Sequence, residues 1–133
     1  MKHTVRVLLA ADDAGTRRTI AGALGHAGFL VERVATGYQA LERLARSVAG
    51  PDLPFDLVVA DLQMPGYDGL DLVGAARALP LRPPVILITA FGDEALRAAA
   101  RRIGAAATLD KPFEVEGLVT VAQVLTAGVA GGF

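Results

Sequence analysis

Short, unbroken apolar runs alternate along this chain with longer stretches whose apolar residues recur at helical spacing. Residues 5–10 (VRVLLA) read as a buried strand. Asp12, Asp13 and Gly15 break it, and residues 16–27 then place Ile20 and Leu24 one helical turn apart, with Gly28 as the expected cap. Residues 29–34 predict a second strand, and 37–48 carry Leu41, Leu44, Ala45 and Val48 on one helical face. Gly50, Pro51 and Pro54 mark a loop before a third strand, 55–60 (FDLVVA), which ends at Asp61. A helix is expected from about Leu70 to Leu79, closed by Pro80, Pro83 and Pro84. Residues 85–88 predict a fourth strand ending at Thr89, 92–103 a helix with a polar face, and 106–109 a short fifth strand ending near Lys111. Val115, Leu118, Val119, Ala122 and Leu125 then share one face of a last helix over 114–126.

Five strand–helix units in succession predict an α/β fold: a doubly wound parallel sheet, five helices and three layers. Strands that are apolar throughout, rather than alternating, agree with a sheet covered on both faces. The expected domain spans residues 1–127, with 128–133 as a short, Gly-rich, frayed tail. With 53% hydrophobic and 20% charged residues among 133, the chain has material for one packed core. It contains no cysteine, so disulfides, thiolate metal sites and thiol chemistry are excluded. A net charge of −1 gives no nucleic-acid footprint. No apolar run approaches the length of a membrane span. The first apolar run is too short, and too acidic at its end, for a signal peptide, so a cytoplasmic protein is the default expectation.

In open α/β sheets, ligands bind beyond the carboxyl ends of the strands. Those ends carry Asp12 and Asp13, Asp61, Thr89 and Lys111. Clustered carboxylates repel unless a cation joins them, and hard oxygen ligands suit Mg²⁺. An ionised aspartate can attack a phosphoryl group, whose spread charge then needs cations around it. Lys111 supplies one cation, and Thr89 a hydroxyl donor to a phosphoryl oxygen. Each residue also has a plain structural role: Asp12 or Asp13 as helix caps, Asp61 as a solvated loop residue, Thr89 as a strand terminus, Lys111 as a surface charge and Pro112 as a turn residue. All five falling at the ends of four strands is what chance rarely arranges. Arg97, Arg101 and Arg102 read as a solvated basic face, with contact to an acidic partner as the alternative.

Asp12-Asp13, Asp61-Leu62-Gln63-Met64-Pro65-Gly66 followed by Asp68-Gly69, Ile88-Thr89-Ala90 and Lys111-Pro112-Phe113 together resemble the receiver domains of two-component response regulators. The resemblance runs from about Val5 to Leu125. It implies a CheY-like, flavodoxin-like strand order 2-1-3-4-5. It also implies a switch in phosphorelay signal transduction rather than a turnover enzyme, with Asp61 as phosphoacceptor. Asp13, Asp61 and the Gln63 backbone carbonyl would hold Mg²⁺ directly, and Asp12 through a water. Thr89 would contact a phosphoryl oxygen and Lys111 its charge, and Lys111–Pro112 would be a cis peptide. The implied donors are a sensor histidine kinase, a phosphotransfer protein or a small acyl phosphate. The implied output is a protein target on the face of helix four, strand five and helix five, with phosphorylation-dependent dimerisation and no direct nucleic-acid contact.

Two positions depart from that pattern. Thr108 stands where the family carries its aromatic switch residue, so no ring is there for the usual readout. Phe91, two residues after Thr89, is expected to cover the phosphoryl group and slow its hydrolysis, with a rim-packed loop aromatic as the alternative. Three competing functions remain to be compared. An Asp-nucleophile phosphohydrolase wants an acid where Gln63 stands. A flavin carrier wants a phosphate-cradling loop where Asp12 and Asp13 stand. A pseudo-receiver that only binds partners sits poorly with intact Asp61, Thr89 and Lys111.

Overall fold

The computed structural model describes residues 4–50, 53–90 and 93–130. Five strands, β1 (Arg6–Ala10), β2 (Leu30–Val34), β3 (Leu57–Asp61), β4 (Val85–Thr89) and β5 (Ala107–Asp110), alternate with α1 (Ala14–His26), α2 (Gly37–Ala49), α3 (Gly69–Arg77), α4 (Glu94–Ile103) and α5 (Val115–Leu125). All four strand pairs are parallel, in the order β2-β1-β3-β4-β5. This is the doubly wound, flavodoxin-like architecture expected from the alternation of elements.

Side chains on a strand point alternately to opposite faces, so each central strand feeds two cores. Val7 and Leu9 of β1 join Ile20 and Leu24 of α1 and Leu118 and Ala122 of α5. Leu8 and Ala10 of the same strand join Ala40 and Leu44 of α2, Leu72 and Ala76 of α3 and Ala100 of α4. Both faces of β3 and β4 are buried along their whole length, which is why their sequences show no polar alternation. β2 lies at an edge and is only partly covered, and it accommodates Glu32 and Arg33.

Local chemistry sets where the helices begin. Thr36 caps α2 through the Gln39 amide, and Asp93 caps α4 through the Leu96 amide. Asp68 and Asp71 form a reciprocal capping box at the start of α3. Gly104 ends α4 in the left-handed conformation, at φ 106°.

One element differs from expectation. Gly128, read as part of a frayed tail, lies in a sixth short helix, α6 (Ala127–Ala130). The buried Thr126 folds its hydroxyl back onto the Ala122 carbonyl at 2.7 Å, and the Val129 amide bonds to the Thr126 carbonyl, so the chain turns again instead of ending.

Candidate functional site

The strand order places β1 beside β3 at the centre of the sheet, with β4 next to β3. The acidic turn after β1, the end of β3 and the end of β4 therefore meet on one edge. Asp61 and Thr89 are the last residues of their strands rather than loop residues: Asp61 pairs with Ile88, and Thr89 with Asp110. The ladder continues past Asp61, since the Leu62 amide bonds to the Ile88 carbonyl at 2.8 Å. The Lys111 amide bonds to the Thr89 carbonyl at the same distance, which fixes the start of the β5–α5 loop. Lys111–Pro112 is a cis peptide bond, as the resemblance implied.

Asp61 is 3% exposed, and neither carboxylate oxygen accepts a hydrogen bond. Its nearest cation is the Lys111 ammonium, 3.6 Å from Oδ1 on a side chain 44% exposed to water. Burial pushes the Asp61 carboxyl above its ordinary range. The charge of Lys111 and the nearby Asp12 amide oppose that rise, while the Asp12 carboxylate adds to it. A buried carboxylate with both oxygens free is a site built for a positive or strongly donating group.

Asp13 is fully exposed and is the N-cap of α1, its Oδ2 accepting from the Thr16 amide at 2.7 Å. That bond is the main reason its carboxyl sits below the ordinary range, with the charges of Lys111 and Arg17 helping. The capping role weighed for the acidic pair thus falls to its second member, leaving Oδ1 clear of the cap. Among the described residues, Asp12, Asp13 and Asp61 do not close into a ready three-carboxylate cage. Mg²⁺ asks for less: it takes one or two carboxylates and keeps several waters. The orphaned Asp61 oxygens and the neighbouring acids fit such an ion. Gln63 is exposed on the loop just beyond Asp61.

Thr89 is buried, with its hydroxyl 3.5 Å from the Ala90 carbonyl, a contact too long to hold it firmly. Beside the acids, Asp13, Thr16, Ile20, Lys111 and Phe113 line an open cleft of about 710 Å³ between α1 and the β5–α5 loop. Thr108 is half-buried on β5, paired with Leu87. Phe91 lies outside the described residues.

Three contacts were not read from the sequence. Arg97 is no solvated basic residue: it bonds Asp110 and Glu94, each at 2.7 Å, and its side chain is only 18% exposed. The Glu94–Arg97 spacing of three was visible in the chain, whereas the Asp110 partner needed the fold. Arg17 reaches back to the Ala11 carbonyl. Gly69 packs so closely under the β3 end that an added Cβ would stand 2.7–2.8 Å from Leu87 Cδ2, the Asp61 carbonyl oxygen and Leu62 Cα.

Comparison with known proteins bears on the family and the fold. Residues 7–123 match the response regulator receiver domain family, and the chain belongs to it. It is 35% identical to the response regulator receiver protein CpdR of Brucella abortus over 114 residues, covering 86% of this chain and 90% of that one. It is 34% identical to the transcriptional regulatory protein FixJ of Bradyrhizobium diazoefficiens, covering 84% of this chain but 52% of FixJ. The chain spans about half of FixJ and 25% of the regulator DctD of Rhizobium meliloti. Among solved structures it superposes on the chemotaxis response regulator CheY4 of Vibrio cholerae with a TM-score of 0.80 at 26% identity, covering 92% of this chain and 99% of that one. Among the described residues no helix is long and apolar enough to cross a membrane.

Proposed function

We propose that this receiver domain takes a phosphoryl group on Asp61 and passes that state to a protein partner. The observation that carries the reading is the Asp61 carboxylate itself: buried, without a hydrogen bond, and facing a lysine at the ligand-binding edge of the sheet.

A carboxylate oxygen of Asp61 attacks the phosphorus of the donor. The new O–P bond forms as the donor's N–P bond (a phosphohistidine) or O–P bond (an acyl phosphate) breaks, and the imidazole or carboxylate leaves. Asp13, Asp61 and the Gln63 carbonyl are the residues that would hold Mg²⁺, with Asp12 acting through a water. When bound, the metal neutralises charge on the transferring group. Lys111, already beside Asp61, is placed to pair with the phosphoryl charge. Thr89, whose hydroxyl is held only loosely, is free to turn and donate to a phosphoryl oxygen. With Thr108 in place of a ring, no aromatic at that position tracks this movement.

A histidine kinase or phosphotransfer protein is the proposed donor, and a protein bound on the α4–β5–α5 face the proposed target. The setting is cytoplasmic, the role is that of a switch rather than a turnover enzyme, and a phosphorylation-dependent dimer is part of the same reading. Intact-mass spectrometry after incubation with acetyl phosphate tests the core of it. The expected result is a Mg²⁺-dependent gain of one phosphoryl group, absent in Asp61→Asn. A wild-type protein that gains none, and that forms no beryllofluoride complex either, overturns the proposal in favour of an interaction module.

A further inference from the structure

The acidic turn is held by a residue outside the acid–lysine set. Ala11, the residue between β1 and Asp12, is fully buried. Its amide donates to the Val34 carbonyl at the end of β2, at 3.2 Å. Its carbonyl accepts from Nη1 of Arg17 at 2.6 Å, a short, charge-assisted bond from the second turn of α1. Arg17 is half-buried, and its own amide bonds the Asp13 carbonyl at 2.9 Å. One residue thus brackets the turn from both ends.

The peptide between Ala11 and Asp12 gives this contact its meaning. It is trans and planar, so its C=O and N–H point in opposite directions. The guanidinium takes the C=O side. The N–H on the other side belongs to Asp12, so the orientation of this one peptide sets where the acidic pair leaves the strand.

We propose that Arg17 is a positioning residue of the phosphoryl-acceptor site: it fixes the Ala11–Asp12 peptide and so sets the direction in which the Asp12 and Asp13 side chains leave the turn. The inference rests on the function proposed above and assigns Arg17 no contact with the phosphoryl group. The bland alternative is that Arg17 only satisfies a buried carbonyl, in which case its loss lowers stability and leaves the folded site unchanged.

The experiment compares wild type with R17A and R17K. It reads the Mg²⁺ dissociation constant from amide shifts and the rate of phosphoryl gain from acetyl phosphate by intact mass. Loss of a contact that orients ligands weakens metal binding by roughly tenfold. R17A is therefore expected to raise the dissociation constant and slow phosphoryl gain by about that factor, with R17K recovering most of both. A crystal structure of R17A is expected to show the Ala11–Asp12 peptide rotated. A folded R17A with an unchanged dissociation constant, or with that peptide unmoved, overturns the proposal. If R17A does not fold, R17Q, which keeps a donor without the charge, takes its place under the same criteria. A wild type that binds no Mg²⁺ and gains no phosphoryl group defeats the proposed function instead, and the peptide orientation in the variant still decides the role of Arg17.

Discussion

Replacing Asp61 by asparagine removes a buried charge that accepts no hydrogen bond, so the metal-free variant is expected to be more stable than wild type at neutral pH. Both Asp61 oxygens are buried without a hydrogen bond, and the facing Lys111 is nearly half exposed and 3.6 Å away. An unsatisfied buried polar group costs about 1–3 kcal/mol, and a screened ion pair returns at most about 1 kcal/mol of that. The asparagine amide keeps polar atoms in the same place and removes only the extra cost of burying a charge, so the expected net gain is about 1–2 kcal/mol. For a domain of this size that is a rise in Tm of roughly 4–8 °C. The sign of the pH dependence follows from the raised Asp61 carboxyl. Between its ordinary value of 3.8 and its higher folded value, the unfolded chain binds fewer protons than the native one. The penalty is absent below that window, grows as pH rises through it and is complete above it. Urea denaturation of both proteins without metal, across that window and at pH 7, isolates the Asp61 contribution, because every other titrating group is common to the two. Excess Mg²⁺ should then reverse the order: a ligand at 100 times its dissociation constant adds about 2.7 kcal/mol to the form that binds it. A metal-free variant no more stable than wild type at pH 7, or a stability difference flat with pH, would refute the reading of Asp61 as an unpartnered buried charge.

Gly69→Ala forces a methyl against Leu87 and the backbone of Asp61 and Leu62, and should destabilise by about 1–3 kcal/mol while weakening Mg²⁺ binding; thermal denaturation and metal titration check the two effects separately. Leu118→Ala empties a fully buried position where α5 meets the sheet, and should lower stability by about 2–5 kcal/mol in urea while leaving phosphoryl gain intact in the folded fraction. A double-mutant cycle on Arg97→Ala and Asp110→Ala should give a favourable coupling that shrinks as salt rises; zero coupling at low salt would mean that the pair does not join α4 to β5.

What could be read in advance follows from where the chain is buried on both sides. The cores of β1, β3 and β4 are apolar at nearly every position, so their order and approximate ends were visible, and with them the acids and the lysine beyond. The ends themselves moved by a residue, and that shift has a consequence. Asp61 and Thr89, expected just past their strands, are their last rungs. A carboxylate on the ladder is held by paired backbone, with Leu62 still bonded to β4 beyond it. This explains how the sheet can keep a carboxylate buried and unbonded where a loop would relax to give it water. The contacts that stayed hidden share another property. Arg17 on Ala11 and Arg97 on Asp110 join side chains to partners that only the winding of the sheet brings near, and an arginine on a helix looks the same in sequence whether it ends in water or on a carbonyl. In this domain such arginines occur at both margins of the site. Arg17 bonds the carbonyl before the acidic turn after β1, and Arg97 ties α4 to the residue before Lys111, so the acid and lysine arms each have a cation bonded beside them that stands outside the acid–lysine set.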